Sequence, residues 1–452
     1  MREQVRIKFG TDGIRGTAGI GALSVEAVLS LGKAVAAQFR DRDPRPRFVV
    51  GRDTRISSPM LEAAFCAGLA ACGGDVWRAG VVPTPAVAFL TRVQGAAAGA
   101  VISASHNAFQ DNGIKLFGPS GFKLSDATEA EIEARAQDSA NQTGVTGPHV
   151  GRLSAEESGA ALYLEHLTRV VGEGSPLQGL KLVVDAGHGA ASHLAAPLFR
   201  NLGAEVIAIG DAPDGLNIND GVGALHADAL CDVVTAAGAD LGVALDGDAD
   251  RAIFVDEQGR VRNGDDCLGL LAVHLRADGR LKQPTVVATQ MSNLGLERFL
   301  ENRGIGLIRT AVGDRHVLEA LRSGGLVLGG EQSGHIILLD RSTTGDGLLT
   351  ALEVCRILRE TRTPFSELLD GFEVFPQVLV NVRVQSRKPI ESLPTVRRVI
   401  EEVEGRLGTE GRVLVRFSGT EPLARVMVEG RCRETVVGLA QRIAREIEEQ
   451  LG

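Results

Sequence analysis

The chain has 452 residues, too many for one hydrophobic core and enough for three or four domains of ordinary size. Its 44% hydrophobic and 23% charged content is that of a globular protein, while 4% aromatic content, with one Trp and one Tyr, argues against stacking platforms for sugars or bases. A net charge of −9 and a pI near 5.6 exclude a broad polyanion-binding surface and leave small anions, held by local clusters, as the charged ligands to expect.

The N-terminus, MREQVRIKFG, lacks the apolar stretch of a leader, and no run approaches membrane-spanning length. Neither nucleic acid nor membrane is therefore an expected partner, and a cytoplasmic location is expected. The six cysteines form no CxxC pair and read as reduced, mostly buried thiols. Next, FGTDGIRG (9–16) spaces three glycines among Thr11, Asp12 and Arg15 and matches neither a P-loop nor a dinucleotide fingerprint. Arg15 either neutralises a phosphoryl group or pairs with Asp12.

From here one pattern occurs three times. Each copy opens on an apolar run with a polar turn: FVVGRDTR (48–55), LVVDAGHGAA (182–191) and TVVATQMSN (285–293). A helix-like stretch leads to a second run: GGDVWRAGVVPTP (73–85), GAEVIAIGDAPDG (203–215) and GIGLIRTAVGDR (304–315). A third run closes each copy: GAVISASHN (99–107), LGVALDGDADR (241–251) and GLVLGGEQSGH (325–335). Continuous apolar strands alternating with helices predict βαβ units with both sheet faces covered. Such sheets bind ligands at the carboxyl ends of their strands, so the three closing motifs are expected to meet at one cleft. Breaks are expected near NQTGVTGPHVG (141–151), DEQGR (256–260) and TRTPFSELLDGFEVFPQ (361–377). The resulting domains are 1–150, 151–256, 257–367 and a smaller α+β domain at 368–452.

In the first closing motif, Ser105 is flanked by His106 and Asn107. It reads as a nucleophile or as a cap or turn residue. Lys115 in the following DNGIK is a candidate for acid–base work or a plain surface lysine. In the second, Asp246, Asp248 and Asp250 repel one another unless a cation neutralises them, and Mg²⁺ prefers such oxygen ligands. An EF-hand is ruled out because Arg251 stands where that loop needs glycine, and AIFVD reads as a strand. In the third, Glu331, Ser333 and His335 suit sugar hydroxyls, with a ligand-free polar turn as the alternative. Near the C-terminus RFSGTEP (416–422) is either an anion nest, with Arg416 and Arg425 adding charge, or a hairpin turn.

Taken in order, FGTDGIRG, SASHN with DNGIK, DGDADR, GEQSGH and RFSGTEP resemble the α-D-phosphohexomutase superfamily over essentially the whole chain. The likeness is strongest to the bacterial phosphoglucosamine mutases, through FGTDGIRG, AVGDRHV (311–317), GGEQSGH (329–335) and RFSGTEPLARVMVEG (416–430). That resemblance implies three similar mixed or parallel α/β domains and a smaller α+β domain around a central cleft. It implies interconversion of glucosamine 6-phosphate and glucosamine 1-phosphate through a phosphoserine and a 1,6-bisphosphate, feeding UDP-N-acetylglucosamine and cell-wall synthesis.

By the same resemblance Ser105, Lys115 and Arg15 are catalytic, and Ser105 with Asp246, Asp248 and Asp250 holds Mg²⁺. His106, Arg251, Gly313, Asp314, Glu331, Ser333 and His335 bind substrate. Arg416, Ser418, Gly419, Thr420 and Arg425 grip its phosphate. The expected cofactors are Mg²⁺ and a hexose 1,6-bisphosphate activator. The expected partners are the sugar phosphate, a second copy of the chain, and a kinase or bisphosphate that primes Ser105. The sequence departs from the common pattern at Ala108 (usually proline), at Ala249 (DGDADR for DGDGDR) and at His316 (often tyrosine). Ala108 is expected to loosen the turn and His316 to alter substrate preference. Rival readings are the same chemistry on glucose or mannose phosphates, a silent sugar-phosphate sensor, and a metal-dependent phosphatase.

Overall fold

The computed structural model describes every residue except 1–5, 11, 139–143, 156–157, 173, 387 and 419–421. Among the described residues the strands form sheets of six, five, four and three strands. The first three sheets share one plan. Three parallel strands lie in the order second, first, third, and an antiparallel strand then pairs with the third. In the first sheet these are Asp75–Val81, Arg47–Arg52, Ala98–Ile102 and the antiparallel Asp111–Phe117. The second repeats them as Glu205–Ile209, Lys181–Asp185, Leu241–Leu245 and Ala252–Asp256. The third uses Gly306–Thr310, Thr285–Thr289, Leu328–Gly330 and Ile336–Leu338.

The parallel strands coincide with the apolar runs of the sequence. Leu241–Leu245 and Ala98–Ile102 are buried at every position, as expected of strands covered on both faces. Polar caps start some of the helices behind them. Asn263 and Asp266 form a reciprocal capping box on Gly264–Ala277, and Ser24 caps Val25–Arg40. In each unit the polar motif is the turn between the third parallel strand and its antiparallel neighbour.

The expected breaks need correction. Leu153–Ala155 pairs with Asp75–Val81, so the first sheet extends past residue 150. Val261–Arg262 pairs with Ala252–Asp256, carrying the second sheet past residue 256. Leu369 and Phe372 still pack with the third unit, and the C-terminal sheet starts only at Gln377–Arg383. In that sheet Leu423–Gly430 lies between Gln377–Arg383 and Gly411–Phe417, backed by helices Pro394–Leu407 and Arg433–Leu451.

One apolar core runs through the first three units, including Val87, Phe117, Leu167, Leu245, Leu271 and Leu352. The C-terminal unit has its own, built from residues such as Val396, Val426 and Ile443. It is rooted on the third unit by polar contacts. Arg412 donates to the carbonyls of Gln290 and Ser292, and the buried Glu429 accepts from the amide of Leu294. Among the described residues no helix is long and apolar enough to cross a membrane.

Helix Gly347–Thr361 begins at the buried Asp346, which accepts from the amide of Leu349 and from the hydroxyl of Tyr163, 2.8 Å away. Burial pushes the Asp346 carboxyl up to about 6, outweighing these hydrogen bonds. The folded protein thus holds a proton that the unfolded chain releases near 3.8, so this group's contribution is greatest below 3.8 and is lost as pH rises through about 6. Asp346→Asn keeps the cap without the charge. Its Tm is expected to rise relative to the parent between pH 4 and 6 and to run parallel above, which thermal melts across that range would check.

Candidate active site

Ser105 sits in the turn after Ala98–Ile102, fully buried, at a left-handed φ of 53°. Its Oγ donates to Asp246 Oδ2 at 2.6 Å and lies 3.4 Å from His106 Nδ1. The first and second units therefore meet at this hydroxyl. Asp246, Asp248 and Asp250 are all buried, and one oxygen from each falls within 4.8 Å of the others. Lys115 comes from the middle of Asp111–Phe117, and its ammonium lies 2.9 Å from Asp248 Oδ2 and 3.1 Å from Asp250 Oδ2. It is a buried strand residue, which removes the surface-lysine alternative.

The charges are arranged unequally. Burial and the neighbouring Asp250 and Asp248 push the Asp246 carboxyl up to about 8. Burial would also raise Asp250, but Lys115 and His335 outweigh it and hold that carboxyl well below its usual range. Burial would lower Lys115, yet Asp12, Asp248 and Asp250 hold it well above the ordinary lysine value. Lys115 is accordingly held as a cation between Asp248 and Asp250. The Oδ1 atoms of Asp248 and Asp250 are buried without hydrogen-bond partners. Buried carboxylate oxygens without a hydrogen bond are costly alone and suit a hard divalent cation.

Beside this cluster is a cavity of about 330 Å³ lined by Asp12, Arg15, His106, Asp250, Arg251, Val312, Gly313, Asp314, Glu331 and His335. All three closing motifs reach it, together with FGTDGIRG. Arg15 pairs with Asp12, and its Nε, like that of Arg251, is shielded from water without a hydrogen-bond partner. Glu331 accepts from the amide of Gly313 at 3.0 Å, and the Oγ of Ser333 is buried without a partner. Two histidines face the space in different states. Burial, Arg251 and Arg15 bring His106 down to about 4, so it is neutral at pH 7. Burial would lower His335 as well, but Asp250 and Asp314 prevail and raise it.

Of the C-terminal residues, the described Arg416, Ser418 and Arg425 do not line this cavity. Arg416 and Arg425 face each other across neighbouring strands, and burial and the Arg425 charge together lower Arg416. Ser418 begins the adjoining turn, its amide donating to the carbonyl of Leu423. Gly419 and Thr420 lie outside the described residues.

Of the departures, Ala108 acts through its carbonyl, which accepts from Arg55 and from the amide of Asp111. Proline offers the same carbonyl, so these two bonds do not depend on the departure. His316 lines a neighbouring groove with Lys123 and Arg322 and does not touch the 330 Å³ cavity. Ala249 is buried at a φ of 53°, where glycine is at ease. Ala249→Gly relieves roughly 1 kcal/mol of backbone strain and loses a buried methyl of about 0.8 kcal/mol. The two nearly cancel, and Tm is expected to move by less than about 3 °C in a thermal melt.

Further residues that shape the site are Asp53, Arg55, Thr84, Lys123 and Asn219. Thr84 donates to Asp248 at 2.6 Å, and Lys123 bridges Asp12 and Asp314. Asp53 and Arg55 end the opening run of the first unit, the same strand-end position that marks the other motifs. Lys123 carries no comparable signal.

Four family models match the chain. They are phosphoglucomutase/phosphomannomutase α/β/α domain I at 6–143, domain II at 161–259, domain III at 263–375 and the C-terminal domain at 379–446. The phosphoglucosamine mutase of Geobacillus kaustophilus is 47% identical over 447 residues, covering 98% of this chain and 99% of its own. That of Methylobacterium radiotolerans is 49% identical over 443 residues, covering 98% of both. Among solved structures, a phosphoglucomutase/phosphomannomutase family protein from Burkholderia thailandensis superposes with a TM-score of 0.80 at 26% identity, covering 99% of this chain and 98% of that one. The Aspergillus fumigatus N-acetylphosphoglucosamine mutase, in complex with GlcNAc-6P and magnesium, gives 0.69 at 18% identity over 99% and 96%, a likeness of fold.

Proposed function

Since the chain belongs to the phosphoglucomutase/phosphomannomutase family, we propose that it interconverts glucosamine 6-phosphate and glucosamine 1-phosphate, with Ser105 as the phosphoryl carrier. The observation that carries this reading is the Ser105 hydroxyl, buried and 2.6 Å from one aspartate of a triad whose other two members share Lys115.

The phosphoryl group on Ser105 passes to the free hydroxyl of the bound sugar phosphate, giving a 1,6-bisphosphate. After the sugar turns around, its other phosphoryl group returns to Ser105. Asp246, Asp248 and Asp250 would hold Mg²⁺, which when bound supplies positive charge to the phosphoryl oxygens. Arg15 and Lys115 add fixed cations where negative charge accumulates, so the transfer needs little rearrangement of the site. Glu331 and Ser333 take sugar hydroxyls, with His106, Arg251, Gly313, Asp314 and His335 completing the cavity wall. Arg416, Ser418, Gly419, Thr420 and Arg425 grip the phosphate that is not reacting. Both orientations use that one grip, and a C-terminal unit with a separate core can adjust to each. A hexose 1,6-bisphosphate or a kinase primes Ser105, and a second copy of the chain is the expected protein partner.

The test is ³¹P NMR of the purified protein with Mg²⁺ and a trace of hexose 1,6-bisphosphate. Glucosamine, glucose and mannose 6-phosphates are supplied separately. Fastest appearance of the 1-phosphate from glucosamine 6-phosphate is the expected result. Faster turnover of glucose or mannose phosphate would move the preference to the sister reaction. Net release of inorganic phosphate would indicate a phosphatase, and no turnover of any sugar would sink the mutase reading.

A further inference from the structure

We propose that Arg55, paired with Asp53, is the positioning residue that holds Ser105 in its reactive conformation; this rests on the mutase reading above. Arg55 is fully buried, and its guanidinium spends nearly all its capacity on one short turn. Its Nη2 donates to the carbonyls of Ser105 and Asn107, each at 2.8 Å, and its Nη1 to that of Ala108 at 2.7 Å. Its Nε donates to Asp53 Oδ2 at 2.8 Å.

The same pair also controls the other side of Ser105. Asp53 Oδ2 accepts from the hydroxyl of Ser103 at 2.6 Å, and that hydroxyl accepts from the amide of Ser105 at 3.0 Å. Both backbone handles of Ser105, its N–H and its C=O, therefore lead to one buried ion pair. Asp53 is fixed in turn by the amide of Arg55 and the hydroxyl of Ser58. Asn219 adds a second donor to the Ser105 carbonyl from the second unit, at 3.0 Å.

Holding both peptide planes sets φ, and φ sets the direction of the Cα–Cβ bond. A non-glycine residue at +53° is disfavoured by roughly 1–2 kcal/mol and persists only where its surroundings insist. Released, Ser105 relaxes toward negative φ, and its Oγ swings off the line to Asp246. A buried guanidinium is expensive to install, and a fold needing only stability is served as well by apolar packing. What an apolar side chain cannot supply is a rigid fork reaching three carbonyls at once.

The measurement compares the parent protein with Arg55→Lys, which keeps the charge beside Asp53 but not the fork. Steady-state turnover is read together with the rate at which hexose 1,6-bisphosphate phosphorylates Ser105, followed by intact mass, and with the melting temperature. A misplaced nucleophile is expected to lower kcat and the phosphorylation rate about 100-fold, with KM within about twofold because other units hold the sugar. Unchanged kcat, or kcat and KM moving together with a large fall in Tm, would overturn the proposal. Ser103→Ala leaves the ion pair intact and cuts only the amide handle. It is expected to lower kcat with KM unchanged, and full activity in it would overturn the proposal even if Arg55→Lys fails to fold. A crystal structure of the folded variant judges the clamp apart from turnover. Ser105 leaving its left-handed φ is expected, and retention would overturn the clamp. A parent protein that neither takes up phosphate nor interconverts any sugar phosphate would instead remove the mutase reading, leaving that structural arm to decide on Arg55.

Discussion

Ser105→Ala is expected to lower interconversion of glucosamine phosphates at least about 10³-fold, with folding and sugar binding intact. In the proposed reaction the hydroxyl is the covalent carrier, and neither His106 nor any carboxylate beside it stores a phosphoryl group in its place. The methyl of alanine fits the same buried turn, and the Asp53–Arg55 grip acts on the backbone, which alanine retains. The loss should therefore appear in kcat, while substrate still protects the variant against thermal melting. Intact mass should show no phosphate uptake from the bisphosphate. A variant retaining a tenth of the parent rate would mean that the phosphoryl group travels by another route.

Removal of divalent metal is the second large effect. Chelation should bring activity to background, and Mg²⁺ should restore it. Three buried carboxylates share this corner with Lys115 as their nearest cation, and two of their oxygens make no hydrogen bond. Binding only to the folded state adds about 2.7 kcal/mol at a hundred times Kd, enough to raise Tm by several degrees. Asp248→Asn leaves an acceptor for Lys115 and Thr84 but removes one negative charge from the site. It should abolish the Mg²⁺-dependent rise in Tm and cost about 10²–10³-fold in turnover. A Mg²⁺-dependent shift that survives in Asp248→Asn would place the metal elsewhere.

Much of the architecture was legible in the sequence because strands covered on both faces are written as unbroken apolar runs. FVV, LVV and TVV mark the middle of the three parallel strands in each of the first three sheets, and the polar turns after the closing runs lie where the chain reverses. Of the antiparallel strands, AIFVD is legible as a strand, but the first unit's is harder to see. DNGIKLF opens with two polar residues and contains a lysine, so it reads as loop, yet Asp111–Phe117 is the inner strand between Ile14–Thr17 and Ala98–Ile102. Lys115 is stable there only because carboxylates from another unit meet it, and a pairing over 133 residues leaves no local trace. The continuation of the first sheet past residue 150 is hidden for the opposite reason. Leu153–Ala155 is an exposed edge strand with no apolar alternation to reveal it. Asp53 and Arg55 were visible as a polar strand end, but nothing local told a turn-former from a clamp.

The division of the apolar interior has a bearing on how the molecule comes apart. The first three units share one core, although the first has a second of its own around Leu31, Phe65 and Ile102. The C-terminal unit, in contrast, can melt while the rest stays intact, joined to it among the described residues by polar contacts such as those of Arg412, Glu429 and Arg298. Heating should accordingly give two cooperative transitions, with the smaller involving about 75 residues from Gln377 onward. A single melting temperature for the whole chain would then describe neither process.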